Sequence, residues 1–93
     1  MFEIIENDSD KIFLLKGDIN TFNIESLDLL IEEDEHNIIL DFKDVSSIDS
    51  KAISLLTHTK RKLLHTNRNL KVINISESAY KILVVAGIDF LME

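Results

Sequence analysis

The chain has 93 residues, a net charge of −7 and no cysteine. That length makes one domain around one core, and 45% hydrophobic content is too high for a disordered chain. The missing cysteines exclude disulfides, thiol nucleophiles and cysteine-based zinc sites, and the acidic balance argues against nucleic acid, whose phosphates need a positive field.

The first elements read as a hairpin. FEIIEN (Phe2 to Asn7) and KIFLLKG (Lys11 to Gly17) are short apolar runs separated by NDSD, whose side chains bond their own backbone in turns. NIESLDLLIEEDE, Asn23 to Glu35, then places Ile24, Leu27 and Ile31 at helical spacing, with Asn23 or Thr21 positioned to cap its start. Its last turn is acidic, which opposes the helix dipole, so packing must hold that end. NIILDF (Asn37 to Phe42) is nearly continuous in apolar residues and reads as a central strand, with KDVSSI crossing to the next helix.

That second helix is predicted from Ser50 to Thr66. Ala52, Leu56, Thr59 and Leu63 form its inner stripe, flanked by Ile53, Leu55 and Leu64; Ser54, Thr57, His58, Arg61, Lys62 and His65 fall on the far side. The triplet Lys60-Arg61-Lys62 reads as solvated cations complementing the helix dipole. LKVINI (Leu70 to Ile75) is another strand. Ser76 caps a third helix in which Ala79, Ile82, Leu83 and Ala86 share a face, and Gly87 supplies the left-handed residue that ends it. IDFLM adds a short strand or turn. The order ββαβαβα predicts one α/β domain over 1–93, a mixed sheet of four to five strands with three main helices packed against it.

Charge is unevenly placed along this order, −11 over residues 1–50 and +4 over residues 51–93. No basic leader or long apolar stretch is present, and ILVVAGI (Ile82 to Ile88) is too short to span a bilayer, so direct membrane insertion is not expected and a cytoplasmic location is. Little points to an enzyme. His36, His58 and His65 are scattered, with no metal-ligand spacing; there is no nucleophile elbow and no glycine-rich phosphate loop, and nothing indicates an enclosing cleft around the Asp41 and Asp44 carboxylates. No cofactor is expected.

The most informative stretch is VSSIDSKAISLL, Val45 to Leu56. Either Asp49 or Ser50 is placed to cap the helix that starts there. A helix N-terminus also accepts an added phosphate, because its free N–H groups and dipole favour negative charge, with Lys51 adjacent to offset it. Local spacing allows both roles for Ser50.

LKGDINTFN, IILDFKDVSSIDSKAISLL and LKVINISESAYKILVVAGIDFL, in that order, resemble the STAS domain of bacterial anti-sigma factor antagonists over nearly the whole chain. IDSKAI (Ile48 to Ile53) matches the family's Ile-Asp-Ser motif, and AGID (Ala86 to Asp89) its glycine-containing turn. The resemblance implies a non-enzymatic protein that binds an anti-sigma factor with serine-kinase activity. It is released when Ser50 is phosphorylated and reset by a phosphoserine phosphatase. The implied partner surface comprises Asn20, Thr21, Asp49, Ser50, Lys51, Ile53 and Ser54, with Ile53 as its apolar anchor. Lys51-Ala52 stands in place of the family's Ser-Gly pair, and Asn20 where many members carry an aspartate. The alternative within the same fold is a constitutive STAS adaptor without a phospho-switch, in a lipid-transport ABC complex or a stress-signalling assembly.

Overall fold

Alternating apolar residues at the start of the chain do form a hairpin. Strands β1 (Phe2–Glu6) and β2 (Asp10–Ile19) pair antiparallel in an unbroken register, Phe2 opposite Leu15 and Glu6 opposite Lys11. Asn7 closes the turn, its side-chain oxygen accepting from the N–H groups of Ser9 and Asp10 at 3.0 and 2.8 Å. These elements and those below come from a computed structural model that describes residues 2–32, 34–85, 87 and 89–92. Residues 21–23, 32, 82, 89 and 90 are described by backbone alone.

The later elements are α1 (Thr21–Glu32), β3 (Asn37–Ile48), α2 (Ser50–Leu64), β4 (Leu70–Ile73), α3 (Glu77–Val85) and a 3-10 turn, η1 (Asp89–Met92). The sheet has four strands in the order β1-β2-β3-β4, with β2-β3 and β3-β4 parallel. Both parallel connections are helical crossovers stepping the same way across the sheet. Right-handedness therefore puts α1 and α2 on one face.

That face holds the core. Phe13, Leu15 and Ile19 of β2, Ile38, Leu40 and Phe42 of β3, and Leu70 and Val72 of β4 are buried against Ile24, Leu27 and Ile31 of α1 and Ala52, Leu56 and Leu63 of α2. Each fully buried leucine or isoleucine contributes about 1.5–3 kcal/mol relative to exposure. On the opposite face Ile12, Leu14, Ile39 and Ile73 are only half-buried.

Several expectations need correction. KDVSSI is strand rather than crossing loop: β3 continues to Ile48 beside Lys16–Ile19 of β2. Register shifts between Leu14 and Lys16 and between Gly17 and Asp18 place extra residues on β3. They fall at Phe42-Lys43 and at Ser46, beside the polar doublets Lys43-Asp44 and Ser46-Ser47, which break the period-2 pattern by which a strand is recognised. Gly17, between the two shifts, has φ of 77°, a left-handed conformation that glycine adopts without steric cost.

Helix α1 runs from Thr21 to Glu32 rather than from Asn23 to Glu35, and Ile24 N–H donates to the Asn20 carbonyl at 3.1 Å. The cap therefore falls at Asn20; the side chains of Thr21 and Asn23 lie outside the described residues. Packing is expected to hold the acidic end, and a cation also ties it down: Arg68 donates from Nη2 to the Ile31 carbonyl (3.0 Å) and from Nε to the His36 carbonyl (2.9 Å).

On α2, Thr57 is buried instead of facing solvent, because its hydroxyl donates to the Ile53 carbonyl and so loses little on leaving water. Leu64 is half-exposed, and Lys60 is 3% exposed, so the basic triplet is not uniformly solvated. Ser76 caps α3 as read, accepting from Ala79 N–H at 3.2 Å, and Gly87 (φ 72°) is left-handed beyond its end. Of the segment IDFLM, Asp89–Met92 close as a 3-10 turn that buries Leu91; Ala86 and Ile88 lie outside the described residues.

Candidate phosphorylation and partner-binding site

Parallel strands deliver their carboxyl ends to the same side of a sheet, and each crossover helix starts there. In this chain β2 ends at Ile19, β3 at Ile48 and β4 at Ile73, so the starts of α1, α2 and α3 gather at one end. A backbone hydrogen bond from Asp49 N–H to the Ile19 carbonyl, 3.0 Å, ties the first two together. Asn20 and Ser50 are the next residues after that pair, so the structure brings them together although they are remote in sequence. The link is reinforced by Ser47, whose hydroxyl donates to Asp18 Oδ1 at 2.7 Å.

The choice of cap is settled by geometry. Asp49 has extended backbone (φ −88°, ψ 164°), and its Oδ1 accepts from Ala52 N–H at 2.7 Å. Ser50 is the first residue of the helix proper and is exposed. With the aspartate as cap, the Ser50 hydroxyl is not required to start α2.

Ser50 opens onto a groove of about 440 Å³ lined by Ser50, Lys51, Ser54, Leu55 and His58 of α2 and by Glu25 of α1. Lys51 and Ser54, both exposed, thus share a surface with Ser50. Ile53 does not. It is 7% exposed and lines the core beside Phe42, Ile48, Leu56 and Val72, so the expected apolar anchor is a core residue. Half-buried Leu55 takes its place as the apolar element of the groove. The backbone of Thr21 begins α1, but its side chain lies outside the described residues.

Glu25, Leu55 and His58 were not anticipated at this surface. Ser50, Ser54 and His58 fall four residues apart, so their common face was legible in the helical period. Glu25 had no such signal, since only the packing of α1 beside α2 brings it there.

Among the other chemical candidates, Asp41 serves structure. Asp41 Oδ1 accepts from Lys43 N–H and Asn74 Nδ2. His58 and His65 are exposed. Among the described residues no three His, Cys, Asp or Glu side chains form a metal-binding group, and no helix is long and apolar enough to cross a membrane.

At the opposite end of the sheet sits a charged cluster. Asp34 Oδ2 is 2.6 Å from Lys11 Nζ, and Asp34 Oδ1 accepts from His36 N–H at 2.7 Å and meets its Nδ1. His36 Nε2 lies 3.3 Å from Glu6 Oε1. Burial alone would raise the Asp34 pKa, but the hydrogen bonds from Lys11 and His36 outweigh it and hold the carboxyl well below the usual range. Lys11 is raised, chiefly by its hydrogen bond to Asp34.

Comparison with known proteins places this geometry. The STAS domain family model matches residues 1–93. The solved anti-sigma factor antagonist SpoIIAA in its unphosphorylated form superposes with a TM-score of 0.83 at 19% identity, covering 100% of this chain and 86% of that one. The phosphorylated form of SpoIIAA, a Bacillus cell fate determinant, gives 0.78 at 19% identity, with 100% and 89% covered. A structure of Mglu gives 0.71 at 15% identity, over 81% of this chain and 20% of that longer one. No curated protein sequence matches.

Proposed function

Because this chain belongs to the STAS domain family, we propose that it is an anti-sigma factor antagonist whose binding is switched by phosphorylation of Ser50. The observation that carries the reading is the division of labour at the start of α2: Asp49 caps the helix and leaves the exposed Ser50 hydroxyl available for modification. The partner is an anti-sigma factor with serine-kinase activity, which docks on Asn20, Thr21, Asp49, Ser50, Lys51 and Ser54 and enters the groove beside Glu25, Leu55 and His58. The module performs no chemistry of its own and works in the cytoplasm, where a phosphoserine phosphatase resets it.

Phosphate on Ser50 adds up to about two negative charges. At the first helical position the α2 dipole and neighbouring Lys51 soften that charge within the protein. Asp49 already occupies the Ala52 N–H, so the phosphate does not displace the cap without cost and instead projects toward the partner. Its effect therefore falls on the complex, by like-charge repulsion and desolvation, rather than on the fold. SpoIIAA keeps a fold similar to this chain in both unphosphorylated and phosphorylated forms, which supports a switch that leaves the domain intact.

Partners captured from native cells, with the Ser46–Ser54 peptide read by mass spectrometry in the same sample, test the proposal. The expected result is phosphate on Ser50 and a kinase-type partner retained by the unmodified chain and by Ser50→Ala. Ser50→Asp should weaken that complex at least about tenfold, the size of effect of one charge brought into an interface. An unmodified Ser50 in a stable complex with other proteins would make the chain a constitutive adaptor instead.

A further inference from the structure

A β-sheet ends at two edges, and unprotected edges pair with other strands. The two edges of this sheet are treated differently. Strand β4 has four residues, carries Lys71, and has η1 packed against it. Strand β1 is FEIIE, without lysine, proline or bulge, and lies outermost in the sheet. Ile4 and Ile5, on opposite faces of β1, are 44% and 53% exposed.

The backbone phase of β1 follows from the turn. Asn7 N–H donates to the Asp10 carbonyl at 3.0 Å, so antiparallel alternation turns Ile5 and Glu3 toward β2. The N–H and C=O groups of Phe2, Ile4 and Glu6 are left pointing away from the sheet. An antiparallel partner centred on Ile4 satisfies all of them.

We propose that β1 pairs antiparallel with β1 of a second copy of this chain, Ile4 against Ile4, making one continuous sheet of two domains. The strand is complementary to itself in that register. Phe2 meets Glu6, Glu3 meets Ile5 and Ile4 meets its own copy, so no carboxylate faces a carboxylate directly. Glu6 is further offset by His36 at 3.3 Å and by Lys11 opposite it in the hairpin. The surface is separate from Ser50 and its groove, so this assembly does not depend on the proposed switch.

One five-residue strand pair is at the small end of protein interfaces, so association is weak. Two copies of net charge −7 also repel at long range, and added salt strengthens the dimer by screening.

Sedimentation velocity on the full chain from about 10 µM to 1 mM tests this, alongside Ile4→Lys, with thermal melts confirming that the variant folds. Wild type is expected to move from monomer to dimer with concentration, and Ile4→Lys to raise the dissociation constant at least about tenfold by facing two cations across the axis. Because the chain lacks cysteine, Ile4→Cys supplies a single reporter. Under mild oxidation it should form a disulfide-linked dimer faster than Val85→Cys, which is 89% exposed on α3 and reports random collision. A wild type that stays monomeric to 1 mM, a dimer indifferent to Ile4→Lys, or equal cross-linking at both cysteines would each overturn the proposal.

Discussion

The two ends of the sheet are built on different principles. Where the parallel strands begin, Asp34, Lys11, His36, Glu6 and Arg68 interlock, joining β1, β2, the α1–β3 connection and the segment before β4. Where the strands end, three helices start, and a short polar network ties the end of β2 to the start of α2: Asp49 to Ala52, Asp49 to Ile19, Ser47 to Asp18. The first end satisfies half-buried charges with one another. The second keeps its hydroxyls at the surface. The charged cluster thus lies at one end of the sheet, and the exposed serines lie at the other.

The largest effect that separates them is expected at Asp34. Asp34→Asn removes the partner of half-buried Lys11 and one acceptor for His36, and should cost about 2 kcal/mol in urea unfolding at neutral pH. The sign with pH is fixed. A carboxyl whose folded pKa is depressed contributes stability above its unfolded pKa and loses it as pH falls through the folded value. The gap between wild type and Asp34→Asn should therefore close between about pH 5 and pH 1. A gap that persists in acid would mean that packing, not charge, holds this end.

Asp49→Ala, at the other end, should cost about 1 kcal/mol, the ordinary value of a lost N-cap. A cost near zero would show that Ser50 takes over as cap, and would weaken the separation of structural and switching roles. Gly17→Ala should cost a similar ~1 kcal/mol, all of it from the backbone, since nothing lies within 4 Å of the added methyl. The smallest effect is expected where function is proposed: Ser50→Ala should stay within about 0.5 kcal/mol of wild type by the same measurement. A larger loss would make Ser50 a structural residue and remove the contrast between the ends.

Much of this molecule was legible in the chain itself. Periodicity found the hairpin, three helices, the parallel strands and most of the core, because a period of two or of 3.6 records which side of an element meets the core. The same local chemistry placed Ser76 as a cap and Gly87 as a helix terminator. The IDSKAI motif drew attention to Ser50 and placed Asp49 and Lys51 beside it. Local reading could not choose between Asp49 and Ser50 as the cap, since that depends on the backbone angles with which β3 hands over to α2.

It also stopped β3 too early, since two bulges erase the alternation that marks a strand, and only pairing with β2 holds Lys43 to Ile48 extended. Ile53 looked like a surface anchor from its place at the edge of a stripe, but the packing of α3 and η1 covers it. Glu25 joined the groove, Arg68 capped α1 and Asp34 paired with Lys11 through contacts with no local trace, each about twenty to forty residues apart in sequence. Local residue order determined which elements form and which faces they bury. The tertiary fold decided which side chains are left at the surface together, because that follows from how buried faces meet and not from any one of them.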